Sequence, residues 1–115
     1  MKYAEVEKFC LSLPGATLSI QWGSDHVYKV GGKMFAVLGP SGTLSFKAND
    51  VAFEMLVETG AARPAPYMAR AKWVYVDDLK AFPEADLRQY LRMAHVLVAG
   101  KLTRKRQREL GLSGN

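Results

Sequence analysis

The hydrophobic period of the chain changes several times, and each change marks an element. Tyr3, Val6, Cys10 and Leu13 recur at helical spacing until Pro14-Gly15 interrupts them, which predicts a short amphipathic helix over about residues 2–13. From Thr17 the period drops to two: Leu18, Ile20 and Trp22 alternate with Ser19 and Gln21, as in a strand with one buried face. Three further strands are expected over 26–30, 33–38 and 43–47. Their connections, Gly23-Ser24-Asp25, Gly31-Gly32 and Gly39-Pro40-Ser41-Gly42, are all turn formers. Together these segments read as an antiparallel meander.

Asn49 or Asp50 caps a second helix that runs to Glu58, with Ala52, Phe53 and Leu56 inward. Residues 59–71 read as a Gly- and Pro-containing loop, and 73–76 as a fifth strand. Phe82-Pro83-Glu84 opens a longer helix, with Pro in the first turn and Glu84 and Asp86 near the positive end of the dipole. Leu87, Tyr90, Leu91, Ala94, Leu97 and Val98 form its apolar stripe. Gly100 breaks or bends it, and 101–110 reads as a last helix. The pattern predicts one α+β domain over 1–115: a two-layer fold, with a meander sheet of about five strands and helices on one face.

Turn lengths set the register. A two-residue Gly31-Gly32 turn pairs Val30 with Lys33 and Tyr28 with Phe35. A turn at Pro40-Ser41 pairs Met34 with Lys47 and Val37 with Leu44. Tyr28, Val30, Phe35, Val37, Leu44 and Phe46 then share the core face. Val27, Lys29, Met34, Ala36, Ser45 and Lys47 share the opposite, open face. A three-residue turn at Gly23-Ser24-Asp25 keeps Ile20 and Trp22 on the core side. Lys29 and Lys47 fall in one cross-strand row separated by Met34, and Lys33 stands at the hairpin end.

Composition narrows the function classes. The chain has 115 residues, 49% apolar and 23% charged, enough for an unstapled globular core. No window approaches the roughly 18 apolar residues of a membrane span, and Glu5 and Glu7 interrupt the N-terminal apolar pattern, unlike a signal peptide. A cytoplasmic protein is expected. Cys10 is the single cysteine, which excludes an internal disulfide and a cysteine metal cluster; it reads as a small core residue. His26 and His95 are the only histidines, without a second ligand at i+3 or i+4. There is no G-x-S-x-G, and the Gly39–Thr43 loop lacks the lysine of a phosphate-binding loop. Asp77-Asp78 reads as part of a strand-to-helix loop. No catalytic constellation, metal or cofactor is expected.

Net charge is +5, and Lys101, Arg104, Lys105, Arg106 and Arg108 lie within eight residues. That run reads either as a solvated helix end or as a phosphate-contacting element. In the segment Tyr67-Met68-Ala69-Arg70-Ala71-Lys72-Trp73, Arg70 and Lys72 share a side if the chain is extended.

The block Tyr28-Lys29-Val30-Gly31-Gly32-Lys33-Met34-Phe35-Ala36, the Ser45-Phe46-Lys47 strand end, and Tyr67 to Trp73 followed by Val74-Tyr75-Val76 together resemble the MmcQ/YjbR family. The resemblance implies a CyaY-like α+β fold and a proposed double-wing DNA-binding arrangement. Family members often carry a pattern like H-M-N-K-x-H-W before the fifth strand. Here Tyr67, Ala69 and Lys72 replace its two histidines and its asparagine, which removes acid-base or metal chemistry and keeps phosphate attraction. The leading expectation is a non-enzymatic, sequence-nonspecific DNA-binding domain. Lys29, Lys33, Lys47, Arg70 and Lys72 would contact phosphates, helped by Arg104, Lys105 and Arg106. The second expectation is a small-molecule or protein-binding module, of the kind that protects against a toxic compound, with Met34, Tyr67 and Trp73 lining a pocket by residues 66–73. The third is a basic surface that serves solubility alone.

Overall fold

The computed structural model describes residues 1–112. Six strands form one open antiparallel sheet in the order β1-β2-β3-β4-β6-β5: β1 (Ala16–Gln21), β2 (Asp25–Val30), β3 (Lys33–Leu38), β4 (Leu44–Lys47), β5 (Arg63–Pro64) and β6 (Trp73–Val76). The helices are α1 (Tyr3–Ser12), α2 (Asp50–Glu58), α3 (Glu84–Ala99) and α4 (Arg104–Glu109). The α+β fold with helices on one side of a meander sheet is therefore as the pattern predicts. The sixth strand, β5, lies inside the segment expected as loop, where Arg63 pairs with Tyr75 and Pro64 with Val74. Its two residues are too few for a period to register.

Helix boundaries follow their local chemistry. Asn49 caps α2, its side chain accepting a hydrogen bond from the Ala52 amide at 2.8 Å. Pro83 stands at the entry to α3, and Glu84 and Asp86 occupy its first turn. The core lies between α1, α3 and the sheet, where Tyr28, Phe35, Phe46, Leu87 and Leu91 are fully buried. Cys10 is buried among them, and burial pushes its thiol up to about 12, as expected of a core residue.

Two register expectations fail, and their errors compensate. The β3–β4 connection is a three-residue turn: Leu38 pairs with Leu44 and the Gly39 amide donates to the Thr43 carbonyl at 2.9 Å. Gly42 at φ +88° takes the left-handed position, the usual third residue of such a turn. Pairing therefore shifts by one, to Ala36 with Phe46 and Val37 with Ser45. Between β2 and β3 the register also slips, because Lys29 pairs with Met34 but Tyr28 pairs with Ala36. Phe35 is the extra residue of a bulge. The bulge lets Phe35, Ala36 and Leu38 all be fully buried, while Val37, expected inward, lies on the outer face with Val27 and Ser45.

Ile20 and Trp22, expected in the core, are 59% and 65% exposed. Ile20 pairs with His26 on the helix side, but β1 is the sheet edge and its upper half extends past the apolar cover. Trp22 sits in the turn itself, at φ +50°.

Candidate nucleic-acid interface

Antiparallel pairing gives the sheet two distinct ends. The lower end holds the start of β1, the Gly31-Gly32 turn, the end of β4 at Lys47 and the start of β6 at Trp73. The upper end holds Gln21, Asp25, Leu38, Leu44 and Val76. Gly31 and Gly32 both have positive φ, +60° and +80°, as a type I′ hairpin turn requires. That turn projects Lys33, which is exposed.

On the outer face near this end, Lys29 pairs with Met34 and Lys47 pairs with Trp73. The expected row in which Met34 lies between the two lysines is broken by the shifted β3–β4 register, but both lysines keep the outer face. Lys47 is half-buried, and its Nζ donates to the Ala71 carbonyl oxygen. Its ammonium is held below the usual lysine range, first by burial and then by repulsion from Lys101 and, more weakly, Lys72, with Asp50 opposing. This coupling places Lys47, Lys72 and Lys101 in one neighbourhood.

Lys72 opens β6 from a left-handed conformation, φ +63°, and its ammonium lies 5.0 Å from the centre of the Phe53 ring. Arg70 is exposed on the preceding 3-10 turn, Ala69–Ala71. The strand-like sharing of a side by Arg70 and Lys72 therefore gives way to a helical turn.

The C-terminal segment folds back onto this same end. Leu102 covers Gly31 so closely that a Cβ there would come within 2.5 Å of Leu102 Cδ1. Thr103 caps α4 by accepting from the Arg106 amide at 3.1 Å. Gln107 Nε2 donates to the carbonyls of Ala99 and Leu102 at 3.2 and 3.0 Å, and Leu110 packs beside Gly15. The segment thus packs down, and Arg104, Lys105, Arg106 and Arg108 are exposed on it. Among the described residues, only Arg106 of this group makes an ion pair, with Glu109 at 3.7 Å.

The residues expected to line a pocket differ in exposure. Trp73 is buried, Met34 half-buried, and Tyr67 fully exposed in a left-handed conformation at φ +67°. A groove of about 520 Å³ lies elsewhere, between Leu13-Pro14, Arg92 and Val96 of α3, and Gln107 and Leu112. His95 borders it, with Nε2 2.7 Å from the Pro14 carbonyl oxygen.

Sequence reasoning missed one polar cluster. Glu7 Oε1 lies 2.5 Å from His26 Nδ1 and accepts from the Tyr28 hydroxyl at 3.0 Å, while the rings of Tyr3 and His26 meet edge-on at 5.5 Å. The hydrogen bond with His26, and then that with Tyr28, holds the Glu7 carboxyl below its ordinary range. Burial, then the Glu7 hydrogen bond, raises the Tyr28 phenol. The cluster bonds α1 to β2.

The sequence model of the family described as YjbR matches residues 11–97. No curated protein matches the chain. Among solved structures, Deinococcus radiodurans protein DR2400, whose domain is described as DUF419, superposes with a TM-score of 0.84 at 25% identity. The match covers 95% of this chain and 87% of that one.

Proposed function

The chain belongs to the YjbR family, and from that premise we propose that it is a non-enzymatic DNA-binding domain that holds phosphates at the lower end of its sheet. The observation that carries this reading is convergence. Lys33 on a hairpin tip, Lys47 and Lys72 on strand ends, and Lys101 with the basic face of α4 come from four separate stretches of sequence to one end of the fold. A solubilising surface needs charge but no such concentration, whereas a polyanion rewards it through released counterions. The Gly31-Gly32 hairpin acts as a wing beside the groove or backbone, with Lys29 and Arg70 at the margin. Recognition is of the phosphate backbone, without base readout. In this reading the protein works in the cytoplasm. None of its described helices is long and apolar enough to cross a membrane. A second reading, a small-molecule or protein-binding module, would use the neighbourhood of Met34, Tyr67 and Trp73 or the 520 Å³ groove beside Pro14 and Val96.

Fluorescence anisotropy of a labelled duplex across a salt series tests the proposal. With about five phosphates neutralised, log affinity falls with log salt at a slope of about −4 to −5. A flat response, or no binding at low salt, removes it.

A further inference from the structure

The two edges of the sheet are built differently. β5 ends one edge with two residues, a proline and an arginine that is ion-paired to Asp77 at 2.9 Å, a short and charged edge of the kind that resists further pairing. β1 ends the other edge with six residues, Ala-Thr-Leu-Ser-Ile-Gln. It has no proline, no charge and no bulge, its register against β2 running unbroken from Ala16 to Gln21. Leu18, Ile20 and the adjoining Trp22 are 38%, 59% and 65% exposed. Among the described residues nothing pairs with the outer side of this strand. An uncharged, regular edge with exposed apolar side chains is a template for another strand.

We infer that β1 is a homodimer interface, pairing antiparallel with β1 of a second copy so that two sheets run on as one. The charge distribution selects this occupant. Antiparallel pairing reverses one copy relative to the other, so the upper end of each lies alongside the lower end of its neighbour. With Leu18 opposite the partner's Ile20, Asp25 beside Gln21 and the partner's Lys29 beside Thr17 fall in one cross-strand row with the two β1 strands between them, so opposite rather than like charges flank the seam. A two-fold axis uses the same patch on both copies, and a strand without charge sets no like charges against each other across that axis. Leu18 and Ile20 of each copy cover those of the other. A polyanion finds no cation on this strand to hold it.

The interface stands apart from the proposed phosphate surface, so either holds if the other fails. Sedimentation velocity of the full chain, from micromolar to near-millimolar concentration, gives a mass approaching twice 12.7 kDa. Leu18→Lys/Ile20→Lys substitutes side chains already in solvent and places like charges across the axis, weakening association by more than about a hundredfold. Met55→Lys, at an exposed apolar site on α2, leaves the dimer intact. Far-UV circular dichroism reports whether each variant is folded. A second readout needs no substitution: hydrogen exchange of the β1 amides slows as protein concentration rises. A monomer at every concentration overturns the inference. So does a dimer that survives Leu18→Lys/Ile20→Lys, or exchange at β1 that ignores concentration.

Discussion

At the upper end of the sheet Glu7 is held by His26 and Tyr28, and Asp77 by a two-pronged contact from Arg63 at 3.0 and 2.9 Å. At the lower end Lys33, Lys72, Lys101, Arg104, Lys105 and Arg108 have no carboxylate partner among the described residues. The upper charges are fixed by short-range geometry, so they report on how the protein holds together. Burial is the first cause of the lowered Lys47 ammonium, and repulsion from Lys101 and Lys72 adds to it; among the described residues, Lys72 on the Phe53 ring is the one unpaired lower cation with a contact of its own. Charge that is costly to gather and left unanswered is better explained by what it meets than by what it supports.

The comparison breaks most visibly if charge reversal has the same effect at both ends. Lys33→Glu/Lys72→Glu/Lys101→Glu is expected to weaken duplex binding by more than about a hundredfold and to flatten the salt slope by about 0.9 for each phosphate no longer neutralised. Lys2→Glu/Lys80→Glu should leave both unchanged in the same anisotropy titration. The second-largest effect falls on stability, at the upper end. Glu7→Ala strands the Tyr28 hydroxyl and one His26 nitrogen, costing about 1–3 kcal/mol by urea denaturation; the lysine triple variant loses the Lys72–Phe53 contact and should cost less than about 1 kcal/mol.

Acid sharpens the contrast. The folded Glu7 carboxyl titrates below its ordinary value of 4.5, so the unfolded chain takes up the proton first as pH falls. Its contribution is whole above about pH 4.5 and is lost as pH drops through the folded value. Thermal midpoints across that range should fall less steeply in Glu7→Gln. Cys10 acts in the opposite direction. Its folded thiol stays protonated to about 12 against an ordinary 9.0, so stability is full below pH 9 and declines towards pH 12. Cys10→Ala should remove part of that alkaline decline. The smallest effect belongs to Tyr67, whose side chain lies wholly in solvent; Tyr67→Ala should change the unfolding free energy by less than about 0.5 kcal/mol.

Much of the frame is legible in the sequence because its causes are local. Gly31-Gly32 makes a two-residue hairpin turn and so fixes Val30 against Lys33, and Asn49 and Pro83 announce the helices that follow them. What escapes reading depends on distance or on a single residue. Glu7 meets His26 and Tyr28 across 19 and 21 positions, and neither partner shows in the apolar pattern. The bulge at Phe35 leaves no trace, because Phe35 is apolar and buried in either register. The individual cations could be named, but their meeting could not. It depends on Leu102 closing over Gly31, a packing of tail on hairpin between residues distant in the chain.

The bulge at Phe35 and the extra turn residue Gly42 are bound to each other in the way two frameshifts are. Each displaces β3 by one residue relative to a neighbour, and together they leave β2 and β4 in phase. Removing Gly42 alone favours a straight β3 without its bulge, with Val37 turned inward and Ala36 and Leu38 turned out, at the expense of a leucine from the core. Loop length at residues 39–43 and the irregularity at residue 35 should therefore be inherited together or not at all. A relative with the shorter turn would be expected to carry a small residue where this chain has Leu38.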